Sequence, residues 1–337
     1  MTTSFAIGTF EDRGSAFPGL VVGDRVHDIT TILPTVTSTR ALLDDWDRNL
    51  DRLQAFVDTA ASEAAARDIS DVTVRPPVQP IGQVFGAGAN YRQHVLEITV
   101  AHRLGVDGAS DDELRNQANR ELDERAAHGD PYVWPGLPTA VSGAYDDGIL
   151  PDVGTDVDWE VELGVVIGRR AHRISAADAP SHIAGYTICN DITARSLVPR
   201  SDMPMMGTDW LRSKNQPTFF PTGPYLVPAR FVPDPADLAI EMRLNGQVMQ
   251  SANTGDLLFG INELIAYTSS LVVLEPGDML ITGSPAGNGS YWKRFLEDGD
   301  YMEAQISGLG QQRTHVRAAT GVLPPWQESR QYTESPV

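Results

Sequence analysis

The sequence predicts a strand-dominated α+β fold. Short runs of alternating apolar residues outnumber helical patterns, and strands and helices do not alternate as they would in a doubly wound sheet. Asn245-Gly246 marks a two-residue hairpin turn between antiparallel strands. A chain of 337 residues allows one large domain with a smaller partner, and an apolar share of 41% with 21% charged residues suits a globular core.

From the amino terminus, Phe5 to Phe10 and Leu20 to Ile29 read as short strands, the second turned at Gly23-Asp24. Leu43, Trp46, Leu50, Leu53 and Phe56 then recur at three- and four-residue spacing, the pattern of a helix. The stiff run Arg75-Pro76-Pro77-Val78-Gln79-Pro80 separates a small α+β domain, residues 1–78, from a larger one, residues 79–322. Gln83 to Gly88 reads as a strand leading into a short helix from Tyr91 to Thr99. The polar insertion at about 99–131 carries a capping box, Ser110 with Glu113, for a helix running to about Ala127. It reads as a solvated surface helix or, more pointedly, as a lid over a neighbouring site.

Asp158 to Gly168 forms a strand with Val161, Leu163, Val165 and Ile167 on one face, and Tyr186 to Asp191 forms another. Ile240, Met242 and Leu244 alternate up to the hairpin turn, and Val248 returns. An amphipathic helix is expected from Asp256 to Leu271, stopping before Pro276. Met279 to Thr282 is a strand feeding the glycine-rich loop 283–289, and the tail 323–337 is expected to be irregular.

Twenty-six basic against 45 acidic residues give a net charge of −19, which argues against nucleic acid and anionic membrane surfaces as partners. No apolar run approaches the ~20 residues of a membrane helix. The amino terminus lacks the basic start and apolar run of a signal peptide, and Cys189 is the single cysteine. A cytoplasmic protein is the expectation. An anionic small molecule would need a local positive site.

Glu160 and Glu162 lie two apart on a strand and so face the same way, and Asp191 ends another strand. Side-by-side carboxylates repel unless a cation lies between them, and hard oxygen donors suit Mg²⁺, Mn²⁺ or Ca²⁺ rather than zinc. Alone, Glu-x-Glu equally describes a solvated strand face. His94 and Glu97 are one helical turn apart, which fits either a general base with its orienting carboxylate or a decorated helix. Lys214 lies among turn-forming residues and by itself reads as a surface lysine. The loop 283–289 lacks the Gly-Lys-Ser/Thr of a phosphate loop, and Gly86-x-Gly88 is too short to mean a dinucleotide.

Together these segments resemble the fumarylacetoacetate hydrolase family. The matching blocks are NYRQHVLE at 90–97, DWEVELGVVIG at 158–168, GYTICNDITAR at 185–195, PTGPYLV at 221–227, the stretch 245–269 and LEPGDMLITGSPAGNG at 274–289, all in family order. The resemblance implies the family's mixed β-roll or sandwich for the larger domain. It implies metal ligation by Glu160, Glu162 and Asp191, water activation by a His94–Glu97 dyad, and an oxyanion contact from Lys214. Tyr91, Arg195, Thr282, Gly283 and Ser284 would receive the substrate. The implied activity is Mg²⁺- or Mn²⁺-dependent hydrolysis of a carbon–carbon bond in a small anionic 2,4-dioxo acid of the acylpyruvate type, by a homodimer. The alternative on the same platform is a lyase or isomerase, acting as an oxaloacetate decarboxylase or like a 2-hydroxyhepta-2,4-diene-1,7-dioate isomerase; a non-catalytic scaffold is the third reading. The chain departs from the family pattern at Asn215-Gln216-Pro217, at Ser196, at Gly136 where a basic residue is common, and at Asn90, where fumarylacetoacetate hydrolase proper has an acidic ligand.

Overall fold

The computed structural model describes residues 3–59, 66–101, 103–105 and 107–320; the expected irregular tail at 323–337 lies outside them. The chain begins with β1 (Ala6–Asp12), β2 (Ser15–Val22) and β3 (Arg25–Asp28), then α1 (Thr39–Leu42), α2 (Trp46–Val57), β4 (Arg67–Asp68) and β5 (Thr73–Arg75). Next come β6 (Val84–Gly88), α3 (Arg92–Ala101), α4 (Asp111–His128), β7 (Tyr132–Gly136), β8 (Val141–Gly143) and β9 (Gly148–Leu150). The central strands are β10 (Val157–Asp158), β11 (Val161–Ile167), β12 (Ile183–Asn190) and β13 (Thr193–Ala194), followed by α5 (Trp210–Lys214), β14 (Phe220–Thr222) and β15 (Val227–Pro228). The chain closes with β16 (Ala239–Leu244), β17 (Gln247–Asn253), α6 (Ile261–Leu271), β18 (Met279–Ile281), α7 (Gly289–Trp292), β19 (Tyr301–Ile306) and β20 (Gly310–Ala318).

The first five strands form one sheet, ordered β4-β3-β2-β1-β5. Its apolar face, Ile7 and Leu20, packs on Leu50, Leu53 and Val57 of α2, as the helical spacing requires. Backbone bonds between Ile7 and Leu226, 2.9 and 2.8 Å, join it to the rest. An eight-stranded sheet runs β7-β6-β18-β11-β12-β14-β8 with β15 beside β12, and a five-stranded sheet runs β17-β16-β19-β20-β9. Val161, Leu163, Val165 and Ile167 meet Ile240, Met242 and Leu244 of β16 and Met302, Ala304 and Ile306 of β19 in the largest core. Period-two alternation thus places one face of β11 against a second sheet. Strands dominate and the sheets curl around each other, as the sequence predicts.

Two boundaries differ from expectation. The helix expected from Asp256 begins only at Ile261, because Leu258 N–H donates to Asn90 O at 2.7 Å and Phe259 N–H to Asn90 Oδ1 at 3.0 Å, holding this stretch extended. The strand expected from Asp158 is interrupted at Trp159-Glu160, where Asn190 Oδ1 and Gln250 Oε1 accept the N–H groups of Glu160 and Val161 in place of ladder partners. The Ser110–Glu113 capping box forms as read, and α4 buries Leu114, Ala118 and Leu122. Ala118 and Leu122 pack on Leu96 of α3.

Candidate active site

β11 and β12 pair antiparallel, with Glu162 opposite Cys189 and Val161 opposite Asn190. Asp191, one residue past β12, donates its N–H to Glu160 O at 2.8 Å, so the strand end is folded back beside the glutamate. Glu160, Glu162 and Asp191 are thereby gathered with one carboxylate oxygen of each within 4.8 Å of the others, all three buried.

Burial of three carboxylates in so small a volume demands compensation. Lys214, the last residue of α5, is only 4% exposed. Its Nζ donates to Glu160 Oε2 and Thr193 Oγ1, both at 2.8 Å, and to Asp191 Oδ2. On the other side, Gly283 N–H donates to Glu162 Oε2 at 2.7 Å. Gly283 has φ +101°, and a Cβ there would stand 2.9 Å from Asn90 Cβ, so only glycine brings its N–H to this point.

Charge is still not balanced. Burial, then Asp191 and Glu160, push Glu162 well above the carboxylate range. Burial also raises Asp191, to about 7, against the pull of Lys214. Glu160 is held low, because Arg195 and Lys214 together outweigh its burial. Lys214 is raised despite burial by Asp191 and Glu160, so its ammonium persists. Asp191 Oδ1 has no hydrogen-bond partner. An orphaned buried carboxylate oxygen in an all-oxygen donor set fits a hard divalent cation.

The remaining expected residues divide. His94, on the first turn of α3, is buried and feels the charges of Glu160, Arg195 and Lys214; burial first, then the two cations, push it down to about 4. Its Nδ1 has no partner. Glu97 does not supply one: its Oε2 accepts Gly287 N–H at 3.0 Å. The expected His94–Glu97 hydrogen bond is therefore absent among the described residues, the backbone donor of the glycine-rich loop having taken the carboxylate. Tyr91, Thr282 and Ser284 are buried beside this loop. Burial, then Glu162 and Asp256, push the Tyr91 phenol up. Arg195, expected to meet the substrate, already holds two acids. Its Nε donates to Asp158 Oδ2 at 2.8 Å and another guanidinium nitrogen to Glu160 Oε1, because two buried carboxylates lie within its reach.

Sequence reasoning missed four supports. Asp158 is fully buried and accepts from Trp159 N–H at 2.8 Å and from Gly289 N–H, tying β10 to the glycine-rich loop. Gln250, 90 residues from Glu160 in the chain, donates to Ser284 Oγ at 2.9 Å while accepting from Val161. Thr193 braces Lys214. Asn90 spends its amide on Phe259 O, Thr282 O and Phe259 N–H. A buried polar residue next to the acidic motif could have flagged Asp158; nothing local flags Gln250.

Residues 83–317 match the family model for the fumarylacetoacetate (FAA) hydrolase C-terminal domain. The chain is 34% identical over 290 residues to the mitochondrial oxaloacetate tautomerase FAHD2A of Bos taurus, covering 86% of this chain and 82% of that protein. It is 31% identical over 313 residues to the 2,4-didehydro-3-deoxy-L-rhamnonate hydrolase of Sphingomonas sp. (strain SKA58), covering 91% and 94%. The maleylpyruvate hydrolase of Sphingobium sp. SYK-6, solved with manganese(II) and pyruvate, superposes with a TM-score of 0.71 at 25% identity over 94% of this chain and all of that one. No helix among the described residues is long and apolar enough to cross a membrane. Sequence motifs, family model and relatives converge, and the chain belongs to the fumarylacetoacetate hydrolase family.

Proposed function

We propose that the protein is a divalent-metal-dependent hydrolase that cleaves the carbon–carbon bond of a 2,4-dioxo acid of the acylpyruvate type. The observation that carries this is the buried triad Glu160, Glu162 and Asp191 with an unpartnered Asp191 oxygen, beside a buried histidine whose ring nitrogen is free. The triad would hold Mg²⁺ or Mn²⁺, which when bound supplies Lewis acidity to the dicarbonyl oxygens. The manganese and pyruvate held by the Sphingobium relative support both ion and substrate class. His94, kept neutral by burial, takes a proton from water as its oxygen adds to the distal carbonyl. Lys214, whose three N–H groups are taken by Glu160, Asp191 and Thr193, offsets the charge on the resulting oxyanion through space. The bond between the third and fourth carbons then breaks, releasing a carboxylic acid and the enolate of pyruvate, which takes up a proton. Thr282, Gly283 and Ser284 line the place of the substrate carboxylate, with the unpartnered Thr282 Oγ1 as its donor, and Arg195 holds Glu160 directly while also binding Asp158. The reading includes a homodimer, which sedimentation equilibrium tests, and a reducing compartment such as the cytoplasm, supported by the single buried Cys189.

A second reading is proton transfer between keto and enol forms on the same site, which needs no activated water. The engagement of Glu97 by Gly287 in place of His94 favours it, as does the bovine relative's tautomerase activity. Pyruvate release from acylpyruvates, measured beside keto–enol conversion and CO₂ release from oxaloacetate, separates the two. Under the hydrolase reading His94→Ala lowers pyruvate release by about 100-fold or more; full retention removes the water-activation role.

A further inference from the structure

The face of the eight-stranded sheet that carries Glu162 also carries a shelf of aromatic rings that the chemistry above leaves unused. In the register of β6 and β7, Gly86 lies opposite Trp134 and Gly88 opposite Tyr132. A Cβ on Gly86 would collide with the Trp134 ring, and one on Gly88 would stand 2.7 Å from Tyr132 Cδ1. The two glycines, too few for a nucleotide loop, are the floor on which these rings lie flat. Trp134 clusters with Cys189, Phe220, Met279 and Ile281. Cys189 is directly opposite Glu162, and opposed residues share a face, so Trp134 and Glu162 lie on the same side of the sheet.

The shelf continues onto α5. Trp210 stacks on Trp134 with centroids 6.2 Å apart and an interplanar angle of 24°, and its indole N–H donates to Tyr132 Oη. Leu137 N–H donates to Asn215 Oδ1 at the other end of α5, fixing the helix to β7. Lys214 Nζ lies 5.1 Å from the centroid of Trp134 and 5.6 Å from that of Trp210. The rings therefore begin at the buried ammonium and reach Tyr132, which is 45% exposed. Arg212, on the same helix, spends its guanidinium on the carbonyls of Leu197 and Pro199, at 2.8 and 2.7 Å. Its Nε also lies 3.7 Å from Asp209 Oδ2, so the guanidinium is turned toward the 197–209 segment.

Resting on the 2,4-dioxo acid reading, we propose that Tyr132 and Trp210, backed by the buried Trp134, form the subsite for the substrate's distal acyl group and select an uncharged aromatic group over a small alkyl one. With the substrate carboxylate at the 282–284 loop and the reacting carbonyl at Lys214, the distal substituent points onto the rings. Flat apolar groups gain both burial and stacking there.

The test uses ligands that cannot be cleaved because they lack the distal carbonyl. Binding of 2-oxo-4-phenylbutanoate and 2-oxopentanoate to the Mn²⁺-loaded protein is measured by titration calorimetry, beside pyruvate release from the corresponding phenyl- and methyl-substituted 2,4-dioxo acids. The phenyl ligand is expected to bind about tenfold tighter. That advantage should fall to within about twofold in Trp210→Ala and in Tyr132→Ser; the second change, at an exposed position, decides the matter if the first does not fold. Equal binding in the wild type, or an advantage that survives both substitutions, overturns the subsite. A phenyl preference without pyruvate release leaves the subsite standing and sinks the hydrolase reading; pyruvate release with equal binding does the reverse.

Discussion

The amino-terminal sheet and the eight-stranded sheet handle charge in opposite ways. In the first, Glu11 pairs with Arg75 at 2.8 Å and Asp12 with Arg67 at 3.2 Å, every partner about a third exposed. In the second, Glu160, Asp191 and Lys214 form pairs almost closed to water. A rim pair is worth about 0–1 kcal/mol and costs little to keep, whereas buried ions carry a desolvation penalty of several kcal/mol each. The first sheet is built for cohesion. The second retains a costly cluster, and perturbed groups gathered in this way mark a site where charge is used.

The contrast is sharpest at Lys214. Lys214→Met strands Glu160 and Asp191 without their ammonium and is expected to cost about 3–5 kcal/mol of stability in denaturant unfolding. It should also lower pyruvate release by about 100-fold or more. A variant as stable as the parent would erase the distinction between the sheets. Glu162→Gln comes next. It removes a repelling charge and keeps an acceptor for Gly283 N–H, so the metal-free protein should melt at a higher temperature. Mn²⁺ affinity should fall by at least about 100-fold, as expected when an inner ligand is weakened. Calorimetry with and without chelator reads both, and a drop in both would show that repulsion is not what the cation relieves.

On the other sheet, Arg75→Ala should shift unfolding by less than about 1 kcal/mol and leave pyruvate release unchanged. The smallest effect expected is the acid limb of stability set by His27. Its ring stands edge-on to Phe56 at 5.2 Å, and burial, then the nearby Arg25, hold its pKa below 6.5. The unfolded chain therefore binds the proton more readily, so this contribution is whole above pH 6.5 and is lost as pH falls below it. His27→Phe should flatten that limb in chemical denaturation between pH 7 and 5. An unchanged limb would assign the acid sensitivity to the buried carboxylate cluster instead.

Much of this was legible in the residues. Alternation along Val161 to Ile167 states which face meets a second sheet, and the same period puts Glu160 and Glu162 together on the other. The hairpin at Asn245-Gly246 and the Ser110–Glu113 cap follow from local chemistry and form as read. The start of α6 was not legible, because Asn90 competes for the backbone of Leu258 and Phe259 from far along the chain. The partner of Glu97 was misread for the same reason, since a carboxylate one turn from His94 is taken by Gly287, 190 residues away.

By itself, then, the sequence determined what depends on near neighbours: strand faces, turns, caps, and the pairing of acids on one strand. Only the tertiary structure decided that Lys214, 54 residues from Glu160, neutralises it instead of lying on the surface, and that Gly86 and Gly88 carry indole and phenol rings. Periodicity is a property of a segment, readable wherever the segment goes. A buried charge takes whichever donor folding brings within about 3 Å, and a glycine's missing side chain acquires meaning only from the ring laid over it.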